Sequence, residues 1–195
     1  MLSLLLGSLT GLVPTAHADV LLVARGSLER WGDAAIGSVY RQGGFLGGAG
    51  VVIDVFGPLS VDVDLAYKRL YARSDETQIF ELVPVTFLVE YTFPAENAPL
   101  DPFVGLGFGF AQWAERTTSP DPSTGLSTRK GARPSLELRA GIRFDLGIVQ
   151  PAMARDPVVK GVDLELFGAR RIETPGGQGF DLASWRGGLG LALRL

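Results

Sequence analysis

The chain has 195 residues, a formal net charge of -3 and no cysteine. Without cysteine it can form neither a disulfide framework nor a thiolate metal site, and its acidic balance argues against a nucleic-acid partner. The mean hydropathy is +0.22, yet beyond the first residues no run of 18 apolar residues could form a membrane-spanning helix. The apolar side chains must therefore belong to another kind of structure.

The first eighteen residues are expected to be a signal peptide. They contain an apolar stretch and end in Ala16-His17-Ala18, the small-x-small pattern at which secretory signals are cleaved. The alternative is a buried N-terminal helix. Cleavage would leave Asp19 as the first mature residue and would remove the only histidine of the chain. Residues 19–195 then form the folded domain.

Alternation of apolar and polar residues with a period of two predicts four strands in the first half of this domain, at 20–29, 45–56, 59–68 and 79–93. Gly57-Pro58 predicts a tight turn between the second strand and the third. Pro84 cannot donate a hydrogen bond to a sheet, so it predicts a bulge or a local unpaired position in the fourth strand.

Four further strands are predicted at 103–113, 135–146, 162–171 and 185–195. The strand 135–146 has the clearest alternation, with Leu138 on an apolar face and Arg139 on a charged one. At about 12 residues it is roughly twice the usual strand length and matches the roughly 9–11 tilted residues that cross a bilayer. On the strand 103–113, glycines line the face opposite Leu106.

Eight long amphipathic strands predict an all-β fold, an eight-stranded antiparallel up-and-down transmembrane β-barrel. A soluble β-sandwich is the alternative, but its strands average about 5–6 residues. Aromatic residues near the predicted strand ends favour girdles at two membrane interfaces, and these residues are Phe56, Tyr67, Tyr91, Phe93, Trp113 and Trp185.

The polar faces carry charges of both signs in similar number, which is expected in a lumen where every buried charge needs a partner. We expect a lumen charge network formed by Asp62, Asp64, Lys68, Glu90, Glu137, Arg139, Arg143, Asp145, Asp163, Glu165, Arg171 and Arg186.

Residues 82–94, LVPVTFLVEYTFP, are followed at 102–109 by PFVGLGFG. This pair of segments resembles the central hairpin of the bacterial outer-membrane β-barrel superfamily of OmpA/OmpX/OmpW-like small barrels. In that superfamily a V-P-V/I-T strand ends in a tyrosine/phenylalanine pair and precedes a P-Y-V-G-x-G-x-G strand. The resemblance implies the barrel fold and an outer-membrane location, and it is not specific for function.

No enzymatic activity is expected. The small barrels that are enzymes resemble one another in needing a histidine base, and the mature chain would have none. Gly105-x-Gly107-x-Gly109 lies within a predicted strand with no helix after it, so it is not a phosphate-binding loop. We expect no cofactor and no metal site.

The expected function is a structural and surface-interaction role in the outer membrane, with a lumen filled by side chains because eight strands enclose little more space than that. The alternative is a narrow porin-like, OmpW-like conduit for small hydrophobic molecules. The expected partners are outer-membrane lipids and an extracellular ligand or protein at loops 31–44, 116–133 and 174–183.

Overall fold

The computed structural model of the chain describes residues 19–40, 44–73, 78–93, 99–118, 126–148, 159–173 and 181–195. The predicted signal peptide lies outside these residues. The described chain forms a closed barrel in which eight antiparallel strands pair in chain order and the first pairs with the last. This arrangement confirms the eight-stranded antiparallel barrel predicted from the alternation.

The strands are β1 (Val20–Trp31), β2 (Phe45–Phe56), β3 (Leu59–Tyr71), β4 (Gln78–Thr92), β5 (Leu100–Thr118), β6 (Leu126–Asp145), β7 (Gly161–Glu173) and β8 (Ser184–Arg194). A six-residue helix, α1 (Ala34–Val39), follows β1, and a short 3-10 turn (Leu146–Ile148) follows β6. Among the described residues, no helix has the length and apolar character needed to cross a membrane.

Side chains alternate between the outside of the barrel and its lumen along every strand. On β3, Asp64 and Lys68 are buried in the lumen, whereas Leu65 between them is 53 % exposed on the outside. On β5, Leu106 is 58 % exposed on the same outer surface. The barrel is therefore apolar outside and charged inside, which is the distribution typical of membrane barrels.

The strand register gives the barrel a shear of ten residues. A row of paired residues runs through Val20, Ile53, Val61, Val89, Leu106, Leu138, Arg170, Trp185 and Arg30, and so returns to β1 ten residues beyond its start. Such a stagger requires strands that are tilted to the barrel axis. The row rises from the end that holds Asp19 and Leu195, the terminal end, to the end where β1, β3, β5 and β7 finish, the loop end.

The prediction of a long loop at 116–133 was wrong. β5 continues to Thr118 and β6 begins at Leu126, paired up to Thr118↔Leu126, so the connection is limited to residues 119–125, which lie outside the described residues. Apolar and polar residues alternate along a strand only where one face of the strand is in contact with an apolar environment. Polar residues with both faces in water can therefore extend a hairpin without showing that pattern.

The loops predicted at 31–44 and 174–183 are partly folded into the barrel. Trp31 is the last residue of β1, and Tyr40 pairs with Ala72 after helix α1. Buried residues from these segments and from the strand ends form the apolar cap, which consists of Trp31, Ile36, Tyr40, Leu70, Ala72, Phe80, Leu82, Ala111 and Leu182. Residues 41–43 and 174–180 lie outside the described residues.

Two local predictions have different outcomes. The pairing of β3 with β4 stops after Leu65↔Val85 and resumes at Lys68↔Leu82 in the same register, so Pro84 marks an unpaired position and not a bulge. Trp113 was wrongly expected in an aromatic girdle. It faces inward by the parity of β5 and stacks on Phe80 with ring centroids 6.2 Å apart, beside the apolar cap.

Candidate functional site

The residues of the predicted lumen network lie on the inner faces of β3, β4, β6, β7 and β8. All of them are buried except Asp145, whose side chain is 33 % exposed at the terminal end. Asp145 lies 3.9 Å from Arg194, and the same guanidinium binds Asp163 at 2.8 Å. These two aspartates therefore belong to the rim of the barrel, while the others fill its interior.

The middle of the lumen holds a cluster in which two arginines share two aspartates. Arg25 Nη1 lies 2.9 Å from Asp62 Oδ2 and 3.2 Å from Asp64 Oδ1. Arg139 approaches from the other side, with Nη1 2.5 Å from Asp62 Oδ2 and Nη2 3.0 Å from Asp64 Oδ2. Gly50 makes room for this arrangement, because a Cβ there would lie 2.8 Å from Arg25 Nη1.

Further ion pairs extend this cluster around the lumen. Arg25 Nε donates to Glu165 at 2.8 Å, and Arg143 Nε donates to the same carboxylate at 3.2 Å. Arg143 also binds Glu90. The central cluster is completed by Glu137, which accepts from Arg139 at 2.9 Å and also binds Arg186, so the cluster comprises Arg25, Asp62, Asp64, Glu90, Glu137, Arg139, Arg143, Glu165 and Arg186.

A second cluster lies nearer the loop end and is organised by Glu29. Its carboxylate accepts from Lys68 Nζ at 3.1 Å, from Arg171 Nη1 at 3.2 Å and from the Ser184 hydroxyl at 2.6 Å. Lys68 Nζ also lies 4.7 Å from the centroid of the Trp31 ring. This Glu29 cluster therefore connects the ionic part of the lumen to the apolar cap.

The two clusters compensate each other in formal charge. The central cluster has four arginines and five carboxylates, and the Glu29 cluster has two cations and one carboxylate, so their charges of -1 and +1 sum to zero. Removing one partner of such a buried pair leaves an uncompensated charge, which costs several kcal/mol. The arrangement can hold the barrel wall together from inside.

Arg25 and Glu29 were absent from the predicted network, although each contacts several of its members. Both lie on the polar face of β1, and Leu28 lies on the other face of the same strand. The alternation of β1 already carried this information, because residues of one parity on a barrel strand all face the lumen.

The two ends of the lumen differ. At the terminal end a cavity of about 500 Å³, the terminal vestibule, is lined by residues that include Asp54, Asp101, Arg143 and Arg194. At the loop end the apolar cap covers the Glu29 cluster. Tyr40 in this cap donates a 2.5 Å hydrogen bond to Glu115, and burial, followed by this bond, raises the Tyr40 pKa above its ordinary value.

Within the described part of the chain, no three histidine, cysteine or carboxylate side chains are grouped as metal ligands would be. Gly105, Gly107 and Gly109 lie in the middle of β5, where each is paired with both neighbouring strands. The carboxylates of the two clusters are bound to arginine or lysine, so the chemistry of the lumen is that of ion pairing.

No protein-family model and no curated protein sequence matches this chain. Solved structures do match it. Neisserial surface protein A (NspA) is 14 % identical with a TM-score of 0.57, over 91 % of this chain and 97 % of that one. Ail, the attachment invasion locus protein of Yersinia pestis, in complex with the heparin analogue sucrose octasulfate, is 11 % identical with a TM-score of 0.54, over 91 % and 97 %.

A major outer membrane protein from Thermus thermophilus is 15 % identical with a TM-score of 0.53, over 92 % of this chain and all of that one (100 %). Identities at this level indicate a shared fold and leave activity open. The chain therefore has the fold of the small β-barrels of bacterial outer membranes, in agreement with the resemblance of its central hairpin to the OmpA/OmpX/OmpW-like superfamily.

Proposed function

We propose that the mature chain spans the outer membrane with its loop end at the cell surface, and that it acts as a non-enzymatic structural and surface-interaction protein with a closed lumen. The observation that carries this proposal is the filling of the lumen by compensated buried ion pairs beneath an apolar cap. Export through residues 1–18 is part of the same proposal.

The membrane location is supported by the outer surface of the barrel. Large apolar side chains are exposed around it, and Leu106, Phe108 and Leu138 are each between 47 % and 58 % exposed. Exposure of such a large apolar surface to water would favour aggregation, whereas in a bilayer the same surface contacts lipid acyl chains. We place the terminal end, where β1 begins and β8 ends, in the periplasm, so that the loop end faces the outside of the cell.

The closed lumen is supported by the number of pairs that block it. Arg25 and Arg139 extend from different walls to the same two aspartates, so a continuous water path would separate several ion pairs at once. Eight strands enclose little space beyond that of their own side chains. We infer that solutes do not pass through the wild-type barrel.

The surface role is supported by the β5–β6 hairpin, which extends past the other strands. Arg116 and Arg129 at its tip have side chains that are 54 % and 73 % exposed, and Lys130 is exposed beside them. Ail, which shares the fold, was crystallised with a heparin analogue. We propose that this hairpin, together with loops 31–44 and 174–183, contacts a polyanionic extracellular ligand.

The alternative function, a narrow conduit for small hydrophobic molecules, is favoured by the terminal vestibule, which opens the lumen from one end over about 500 Å³. A conduit would need this vestibule to continue past Arg143 and Arg25 to the loop end. The two functions therefore differ in whether the central cluster opens.

Conductance across a planar bilayer separates the two functions. The purified wild-type protein is expected to insert without producing steady channels, and steady, reproducible channels would favour the conduit. For the surface role, the variant Arg129→Ala/Lys130→Ala should lose retention on immobilised heparin. Lys160→Ala is the matched control, because Lys160 is a half-exposed cation at the terminal end. Equal losses in both would contradict a hairpin site.

A further inference from the structure

We propose that the outer wall formed by β7, β8 and β1 binds a phosphate-bearing lipid, with the phosphate between Arg30 and Arg170 and an acyl chain in the groove below them. The proposal rests on the membrane location proposed above and adds a defined lipid site to it. It is carried by an apolar groove, by two arginines at one end of that groove that form no salt bridge within the described residues, and by the aromatic ring that lies between the two arginines.

The groove is a cavity of about 520 Å³ on the outside of the barrel. Its floor includes Gly26 and Gly187, and its walls include Leu28, Phe45, Leu164 and Leu189. Gly26 lies under the Phe45 ring, because a Cβ there would be 2.8 Å from two atoms of that ring. The groove is therefore lined almost entirely by apolar groups, as an acyl chain requires.

The floor continues onto β7 through Gly168, the register partner of Gly187. Neither glycine has a positive φ. A Cβ at Gly187 would meet nothing closer than the Phe167 carbonyl oxygen at 3.9 Å, and one at Gly168 nothing closer than the Arg186 carbonyl oxygen at 4.0 Å. Neither the backbone nor the packing requires glycine at these positions, and its effect is to leave open space on the outer surface.

The cations lie directly beyond this groove toward the loop end. Trp185 is the outward-facing residue next to Gly187 on β8, and it is the register partner of both Arg30 and Arg170. The Arg170 guanidinium carbon lies 4.7 Å from the centroid of the Trp185 ring. Arginine and tryptophan together are typical of the level at which lipid headgroups meet acyl chains.

Both arginines are exposed, and neither forms a salt bridge with a carboxylate of the described residues. Arg116, another outward-facing cation of the loop end, differs because it binds Glu81 at 3.2 Å. These two guanidinium groups, on the two strands that flank Trp185, form an electropositive end to an otherwise apolar groove. An anionic headgroup complements that charge, and phosphate matches the guanidinium geometry best.

A second copy of the chain is the competing occupant of the groove. A two-fold interface between parallel barrels would place the same patch of each copy at the same membrane depth. Arg30 and Arg170 would then lie close to the same two arginines of the second barrel, and like charges at a contact are unfavourable. The charge of the groove's end therefore favours a lipid over a dimer.

The test compares lipid binding by the purified, detergent-solubilised barrel with native mass spectrometry, using diacyl phosphatidic acid and phosphatidylcholine of equal chain length. The wild type should prefer phosphatidic acid by roughly 10- to 30-fold, since each cation near a membrane surface contributes to anionic-lipid binding. Arg30→Gln/Arg170→Gln should remove that preference. Arg69→Gln is the matched control, because Arg69 is an exposed loop-end arginine near the Tyr71 ring on β3, and it should keep the preference.

The acyl-chain part is tested by Gly187→Leu, with Gly168→Leu as a second variant in case the first does not fold. Filling the groove should weaken binding of both lipids without changing their ratio. A preference that survives Arg30→Gln/Arg170→Gln, or that Arg69→Gln also removes, would overturn the site. So would a dimer that Gly187→Leu dissociates with lipid binding unchanged. A barrel that inserts into vesicles without lipid preference contradicts this site only, whereas failure to insert contradicts the membrane location.

Discussion

Arg139 on β6 and Asp62 on β3 form a 2.5 Å ion pair across the lumen, between strands that are not neighbours in the barrel. Both side chains are fully buried. Neither charge can be hydrated while the barrel stays closed, so each is stabilised by its partners. The pair therefore links opposite parts of the wall as well as filling the space between them.

Removing both members of this pair should cost less than the sum of the two single removals. Arg139→Ala or Asp62→Ala alone is expected to lower the free energy of unfolding by about 3–5 kcal/mol, because the remaining buried charge loses one of its partners. The double variant should lose less than the sum, with a coupling of about 0.5–3 kcal/mol. Urea unfolding in lipid vesicles measures the free energy of unfolding of the wild type, the two single variants and the double variant.

The matched control is the pair of Lys160 with Asp19, which has a similar separation of 2.7 Å but side chains that are 52 % and 37 % exposed. Breaking it should change stability by about 0.2–1 kcal/mol. Additive effects of less than about 1 kcal/mol at Arg139 and Asp62 would instead indicate individually hydrated charges in a wet lumen.

The faces of the strands could be predicted from the sequence, but the partners of the charges could not. Alternation assigned Arg139 and Asp62 to the lumen because the side-chain period of a strand is two. Which carboxylate meets which arginine depends on the ten-residue shear, and that results from all eight pairings together. The residue pattern within one strand does not determine the shear with which the barrel closes.

The ends of the strands were the least predictable part. The β5–β6 hairpin extends through polar residues such as Thr117, where strand pairing continues although the alternation of apolar and polar residues has stopped. The apolar cap was missed for the opposite reason. Ile36 and Leu182 are isolated apolar residues in connecting segments, and only the closed barrel brings them together.

The outer face of β6 should behave as a lipid-facing surface. Leu138→Arg is expected to destabilise the inserted barrel by about 2–4 kcal/mol, the cost of a charge near the bilayer midplane. Leu138→Trp, made in a Trp185→Phe background, should be tolerated and its fluorescence quenched by brominated lipid. Lys130→Trp in the same background is the control, because Lys130 lies beyond the apolar surface. Equal quenching at both positions would contradict the lipid-facing position of Leu138.

Tyr40 should make the stability of the apolar cap depend on alkaline pH. Its pKa is raised by burial and then by its hydrogen bond to Glu115, so the folded state holds the phenolic proton more tightly than the unfolded state does. The stabilisation is fully present below the unfolded pKa of about 10 and is lost as pH rises above it.

Tyr40→Phe should therefore destabilise the protein by about 1.5–3 kcal/mol at pH 8, the range for a hydrogen bond to a charged group. The difference between the two proteins should shrink at pH 11, as measured by urea unfolding. Tyr71→Phe, which removes an exposed hydroxyl at the same end, is the control and should change stability little. A wild-type advantage that is the same at both pH values would show that the Tyr40 proton does not contribute.

The most direct test of the proposed membrane barrel is fractionation of cells that express the whole chain. We expect the mature protein in the outer-membrane fraction, resistant to extraction by salt or alkali and released only by detergent, because its apolar outer surface needs lipid or a substitute for it. The result that would contradict this location is recovery of the protein as a soluble periplasmic monomer.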